Sequence, residues 1–183
     1  MRIYRNLNKI IEFKKSIIAI GNFDGIHLGH QKVLKEARLK AKKNKLQFGA
    51  VTFEPVPVMF FNNKIKNHRI NSLNQKIQGL KKLKLNFLII IKFDKSFSNL
   101  NYKKFIYKII FKKLKSKFVF VSKNFRFGKN REGNIKKLKN NESIFSYKTC
   151  VSNPLNQNKK ILSSSIIRAE ITKGNISKVN KYL

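Results

Sequence analysis

Four short, almost continuous apolar runs, set apart by longer stretches of helical spacing, constrain most strongly what this chain can fold into. The runs are Ser16 to Ile20, Phe48 to Phe53, Phe87 to Ile91 and Phe118 to Val121, with a weaker fifth candidate across Ser143 to Val151. Runs of this length without polar alternation suit parallel strands buried on both faces. Between them, the spacing predicts helices over Leu28 to Asn44 (apolar face Val33, Leu34, Ala37, Ala41), Ser72 to Leu85 (Leu73, Ile77, Leu80, Leu83) and Tyr102 to Leu114 (Phe105, Ile106, Ile109, Ile110). Strand and helix in strict rotation indicate an α/β fold, a doubly wound, Rossmann-like parallel sheet with helices on both faces. Right-handed crossovers then bring the loops after the strands to one edge, where ligands bind. No internal repeat and no Pro/Gly/Ser linker divides the chain, so residues 1–183 are expected to form one domain.

Composition narrows the function classes. At 42% hydrophobic residues, the chain carries too much apolar side chain for a disordered polybasic tail. No run reaches the ~18 residues of a membrane span, so no membrane partner is expected. Met1 to Phe13 alternates polar and apolar residues without a signal-peptide core. The single cysteine, Cys150, cannot form an internal disulfide or a Cys-pair zinc site, which fits a cytoplasmic, reducing setting. The formal net charge of +34 has two readings. It is the electrostatic footprint of a nucleic-acid binder, but the basic residues are mostly lysine, with 7 arginines among the 42. Lys, Asn, Ile and Phe share AT-rich codons, and a surface selected for phosphates and bases favours the planar fork of Arg. Compositional drift is therefore preferred over nucleic-acid binding, and charge alone names no function.

The first run leads directly into Gly21-Asn22-Phe23-Asp24-Gly25-Ile26-His27-Leu28-Gly29-His30. Its glycines permit a tight turn and close backbone approach to a ligand. A helix starting near Leu28 presents unpaired N–H groups, which suit an anion such as phosphate. His27 and His30, three apart at a helix start, project to one side and can donate to phosphoryl oxygens whose charge rises in a transition state. A half-built metal site is the alternative. His68 is the only other histidine and the carboxylates number 8, which argues against zinc.

The motif His27-Leu28-Gly29-His30, preceded by Gly21-Asn22-Phe23-Asp24-Gly25, resembles the hallmark of the nucleotidylyltransferase superfamily. Three further segments resemble, in order, the adenylyltransferase module of the bifunctional riboflavin kinase/FMN adenylyltransferases, the prokaryotic FAD synthetases. They are Val51-Thr52-Phe53-Glu54-Pro55-Val56-Pro57, the stretch Val121 to Gly128 followed by Arg131 and Gly133, and Ile161 to Arg168 with Ser163-Ser164-Ser165. The resemblance spans essentially the whole chain and implies attack of the FMN phosphate on the α-phosphorus of ATP, giving FAD and pyrophosphate. Adenylyl or cytidylyl transfer to another small phosphate ester is the alternative within the superfamily. A basic nucleic-acid-binding protein on the same scaffold is the alternative outside it.

The resemblance further implies that His27 and His30 are catalytic. Gly21, Asn22, Phe23, Asp24, Gly25, Gly29, Arg126, Ser164, Ser165 and Arg168 would bind ATP. Thr52, Phe53, Pro55, Pro57 and Asn124 would line the FMN side. Mg²⁺ is expected with ATP, held mainly by phosphates, with no protein ligand assigned. Taken alone, Phe53, Phe125 and Phe127 read as core aromatics, His68 as a solvated loop residue, Asp24 as a turn cap and Ser163 to Ser165 as a helix cap. Val56 stands where the family has His, Ser122 where it has Gly, and Ser165 where it has Thr. The family's kinase domain and its Pro-Thr-x-Asn motif are not found before Leu183, so kinase activity is not expected of this chain.

Overall fold

The computed structural model describes residues 1–5, 15–62, 68–157 and 160–183. In chain order the elements are β1 (Arg2–Tyr4), β2 (Ser16–Ile20), α1 (Leu28–Lys43), β3 (Gln47–Glu54), α2 (Pro57–Phe61), α3 (Leu73–Lys82), β4 (Phe87–Lys92), α4 (Lys95–Ser98) and α5 (Tyr102–Phe105). α5 runs straight into a π-helix, Ile106–Lys113, and is followed by β5 (Ser116–Ser122), a 3₁₀ turn at Lys129–Arg131, α6 (Ile135–Asn140), α7 (Glu142–Phe145) and β6 (Lys148–Ser152). A small hairpin of β7 (Asn156–Gln157) and β8 (Lys160–Ile161) leads to α8 (Ser164–Thr172) and α9 (Ile176–Asn180).

Six strands form one parallel sheet in the order β1-β4-β3-β2-β5-β6. The chain lays down β2, β3 and β4 in one direction, then returns to place β5 and β6 on the other side of β2. The winding reverses between the carboxyl ends of β2 and β5, the crevice where open α/β sheets take ligands.

Successive side chains of a strand point to opposite faces, and each run divides accordingly. Ile18, Ile20, Val51, Ile89 and Ile91 pack with Phe105, Ile106, Ile109 and Ile110 on one side of the sheet. Ile17, Ala19, Phe48, Ala50, Leu88 and Ile90 pack with Val33, Leu34, Ala37 and Ala41 of α1 and with Ile77 and Leu80 of α3 on the other. This two-sided burial explains why the strands carry no polar alternation. β3 passes close to β4 at Gly49, where a Cβ would lie 2.0 Å from the Phe87 ring, so only glycine fits that position.

Several expectations need correcting. The fifth candidate run splits: Ser143 to Phe145 belongs to α7, Ser146 turns the chain in a left-handed conformation (φ 51°), and only Lys148–Ser152 is strand. The edge strand β1 was not foreseen; three residues paired to β4 are too few to produce a pattern. The helix over Tyr102 to Leu114 buries the expected residues but is π-helical through most of its length; the i, i+4 pairs Phe105/Ile109 and Ile106/Ile110 share a face in either winding. The alternating start, Met1 to Phe13, falls largely outside the described residues. Among the described residues no helix is long and apolar enough to cross a membrane.

Candidate active site

A cavity of about 680 Å³ opens at the winding reversal. One wall is the loop after β2, Gly21 to Asp24, with His30 behind it; the opposite wall is the loop after β5, Ser122 to Gly128; Ser164 and Arg168 of α8 close one end. Each wall is thus the segment leaving a central strand, which is why residues 100 or more apart in sequence meet here.

The first loop is held by backbone geometry and by two hydrogen bonds with β3. Phe23 and Ile26 both adopt positive φ (47° and 45°), and Gly25 does so at 82°. A side chain at Gly25 would also crowd Ile70 at 3.0 Å. Gly21 N–H donates to Val51 O at 3.1 Å, and the fully buried Thr52 hydroxyl donates to Asn22 O at 3.0 Å. Thr52 therefore shapes the loop from below and does not reach the cavity, contrary to its expected place on the FMN side.

His27 and His30 stack with ring centroids 3.7 Å apart. His27 Nδ1 accepts from His30 N–H at 3.4 Å and so caps α1, leaving Nε2 as its donor. Gly29 makes this possible, since a Cβ there would meet the His27 ring at 3.1 Å. Of the pair, His30 lines the cavity and His27 does not. The edge of Phe23 meets His30 at 5.5 Å. Burial lowers the His27 pKa to about 4, with the Asp24 charge opposing this and Arg168 adding to it. Burial likewise holds His30 well below the ordinary imidazole value, helped by His27 and Lys76. Both rings are neutral at pH 7 and offer one N–H each.

These shifts fix the sign of an acid effect on stability. The unfolded chain binds a proton at His27 near pH 6.5, whereas the folded chain does so only near pH 4. Stability is therefore complete above pH 6.5 and falls as the pH drops toward 4, by about 3 kcal/mol for His27. Urea midpoints at pH 7.5 and pH 5 should differ, and His27→Asn should reduce the difference. Equal slopes in the wild type and the variant would contradict this origin.

Asp24 is more than a turn cap. Its Oδ1 accepts from Ile70 N–H at 2.9 Å and Asn71 N–H at 3.4 Å, tying the segment before α3 to the loop. Its Oδ2 lies 3.6 Å from an Arg168 amino group. Arg168 also donates through Nε to His68 O at 3.0 Å, and Ser164 Oγ donates to Asp24 O at 3.0 Å. His68 lines the cavity, which corrects its reading as a solvated loop residue. Ser163 is the N-cap of α8, as its position suggested. Ser165 is exposed and does not line the cavity, nor do Gly25, Gly29 and Pro55.

The far side is aromatic. Phe53, Phe61, Phe93, Phe97, Phe105, Phe125 and Phe127 line it. They are linked by ring contacts such as Phe53–Phe97 at 5.7 Å, Phe61–Phe93 at 5.8 Å and the stacked pair Phe125–Phe127 at 5.4 Å. Phe53 and Phe127 belong to the core and the cavity at once. Pro57 and Val56 at the start of α2 join this wall, and Asn124 and Arg126 line the side opposite the glycine-rich loop. Phe61, Phe93 and Phe97 were not expected. They lie in segments with no motif, and only the fold gathers them.

A doubly wound parallel sheet with His-x-Gly-His at its winding reversal defines a nucleotidylyltransferase-type fold. The chain belongs to the FAD synthetase family, whose model matches residues 9–166. It is 37% identical over 185 residues to a bifunctional riboflavin kinase/FMN adenylyltransferase of Buchnera aphidicola subsp. Schizaphis graminum, covering 100% of this chain and 59% of that protein. The chain thus spans about three fifths of the length of that curated relative. Among solved structures, a Streptococcus pneumoniae protein described as a macrolide-efflux protein superposes with a TM-score of 0.87 at 25% identity, over 99% of this chain and 60% of its own. A Francisella tularensis pantoate-beta-alanine ligase shares the fold, with a TM-score of 0.61 at 18% identity over 99% of this chain and 77% of its own.

Proposed function

We propose that this chain is an FMN adenylyltransferase, transferring AMP from MgATP to FMN to give FAD and pyrophosphate. The observation that carries the reading is a single cavity with two chemically different halves. One holds the glycine-rich loop, His30, Ser164 and Arg168; the other is walled by seven phenylalanines. The first half suits a polyphosphate and the second a flat aromatic ring system. Family membership and the curated relative's name point the same way.

The acceptor phosphate is itself the nucleophile. An FMN phosphate oxygen forms a bond to the α-phosphorus, the bond from that phosphorus to the bridging oxygen breaks, and pyrophosphate leaves with the electron pair. The protein's task is positioning and charge stabilisation. His30, neutral and facing the cavity, donates to an oxygen that gains charge in the transition state, with His27 stacked behind to fix its orientation. Arg168, aligned by Asp24 and His68, places a guanidinium beside the leaving phosphates. Ser164 orients the Asp24 loop, and Asn124 and Arg126 contact the nucleotides from the facing loop.

Among the described residues no group of three or more His, Cys, Asp or Glu could hold a metal ion. In this reading Mg²⁺ enters with ATP as part of the substrate, on phosphate oxygens. A cytoplasmic setting, where ATP is supplied, accompanies this reading.

Purified protein given FMN, ATP and Mg²⁺ should form FAD and pyrophosphate in equal amounts. Consumption of ATP without FAD would contradict the reading.

A further inference from the structure

α3 lies against the glycine-rich loop. A Cβ on Gly79 would meet Ile26 Cδ1 at 2.6 Å, and Asp24 holds Ile70 N–H just ahead of the helix. Residues three and four apart share a helix face, so Lys76 stands on the stripe of α3 that bears Gly79 and Leu80. Lys76 is 0% exposed, and its Nζ has no hydrogen-bond partner among the described residues. The hydrophobic spacing of α3 would place an apolar side chain there.

The charges that act on Lys76 come from three neighbouring segments. They are Glu54 at the end of β3, Arg69 ahead of α3 and Asp24 in the glycine-rich loop, and it acts in turn on His30 of α1. Arg69 pairs with Glu54, and Arg168 faces Asp24. Each carboxylate thus already has its own arginine, and the ammonium of Lys76 is left over. A buried ammonium without a partner is costly, whereas Met would fill a similar volume without that cost.

We propose that Lys76 is a positioning residue whose buried ammonium makes the cavity floor positive, and that a bound polyphosphate, the triphosphate of ATP or the pyrophosphate product, supplies the missing counter-charge. This inference rests on reading the floor of the cavity as the polyphosphate site and adds a residue to it. Burial draws the Lys76 pKa down while Glu54 and Asp24 draw it back up, as expected for a cation only partly compensated by its surroundings.

Calorimetric titration with pyrophosphate, on wild type, Lys76→Met and Glu54→Gln, tests it. Lys76→Met should bind about tenfold more weakly, the scale of one partly screened charge interaction, with a Tm equal to or above that of the wild type. Glu54→Gln should bind several-fold more tightly, because it removes a negative charge from the same cluster. A packing role alone predicts a lower Tm for Lys76→Met and no gain for Glu54→Gln. Affinity within twofold of wild type for Lys76→Met, weaker or unchanged binding for Glu54→Gln, or no binding by the wild type overturns the proposal. Should Lys76→Met fail to fold, Glu54→Gln decides alone. Pyrophosphate carries no flavin, so Lys76-dependent binding without FAD formation would refute the acceptor and leave Lys76 in place. FAD formation with unchanged binding would do the reverse.

Discussion

Replacing His30 with alanine should lower FAD formation at least about a hundredfold, the usual loss when one transition-state donor is removed. Of the two motif histidines, His30 is the one that reaches the cavity, it is neutral by burial, and its Nδ1 has no partner among the described residues. The loss should appear in kcat more than in the KM for ATP, because the donor acts where charge develops. His27→Ala should cost a similar factor, but by a different route. It removes the stacked ring and the acceptor that caps α1, so it should also lower Tm, whereas His30→Ala should leave the cap intact. Unchanged turnover in both variants would refute their roles.

Asp24→Ala should be the most destabilising change in the site. It removes the acceptor of Ile70 N–H and Asn71 N–H and leaves Arg168, whose side chain is about a quarter exposed, without its anion. Leaving those two backbone donors without their acceptor costs about 3 kcal/mol, readable as a drop in the urea midpoint. Asp24→Asn separates the two effects. It keeps an oxygen for the backbone donors and so should retain most of the stability, but it no longer aligns Arg168 and should raise the KM for ATP. Equal destabilisation by both variants would show that the charge pair, not the loop anchor, carries the stability.

The elements that the sequence made legible are those whose pattern is local. α1 begins at Leu28 and buries Val33, Leu34, Ala37 and Ala41 as the spacing requires, and the central strands lie where the apolar runs lie. The glycine-rich loop was equally visible, because positive φ and close approach demand glycine within a short span. What stayed hidden depends on distant partners. Thr52 looked like a ligand residue because it lies in a motif, yet its hydroxyl serves Asn22. His68 looked solvated in a polar loop, and only the contact of its carbonyl with Arg168 brings it to the site. Lys76 falls on the apolar stripe of α3 with Leu73, Ile77 and Leu80, but a lysine there reads as solvated until the fold shows it buried. Of the +34 charge, the cavity accounts for only a few cations: Arg126, Arg131 and Arg168 line it.

The central claim is tested most directly by following the label from ATP radiolabelled at the α-phosphorus, with FMN and Mg²⁺ present. Adenylyl transfer predicts that the label appears in FAD, in a molar amount equal to the pyrophosphate released, and that the transfer is lost in His30→Ala. Label recovered only as ATP, or as AMP with no labelled flavin, would contradict it.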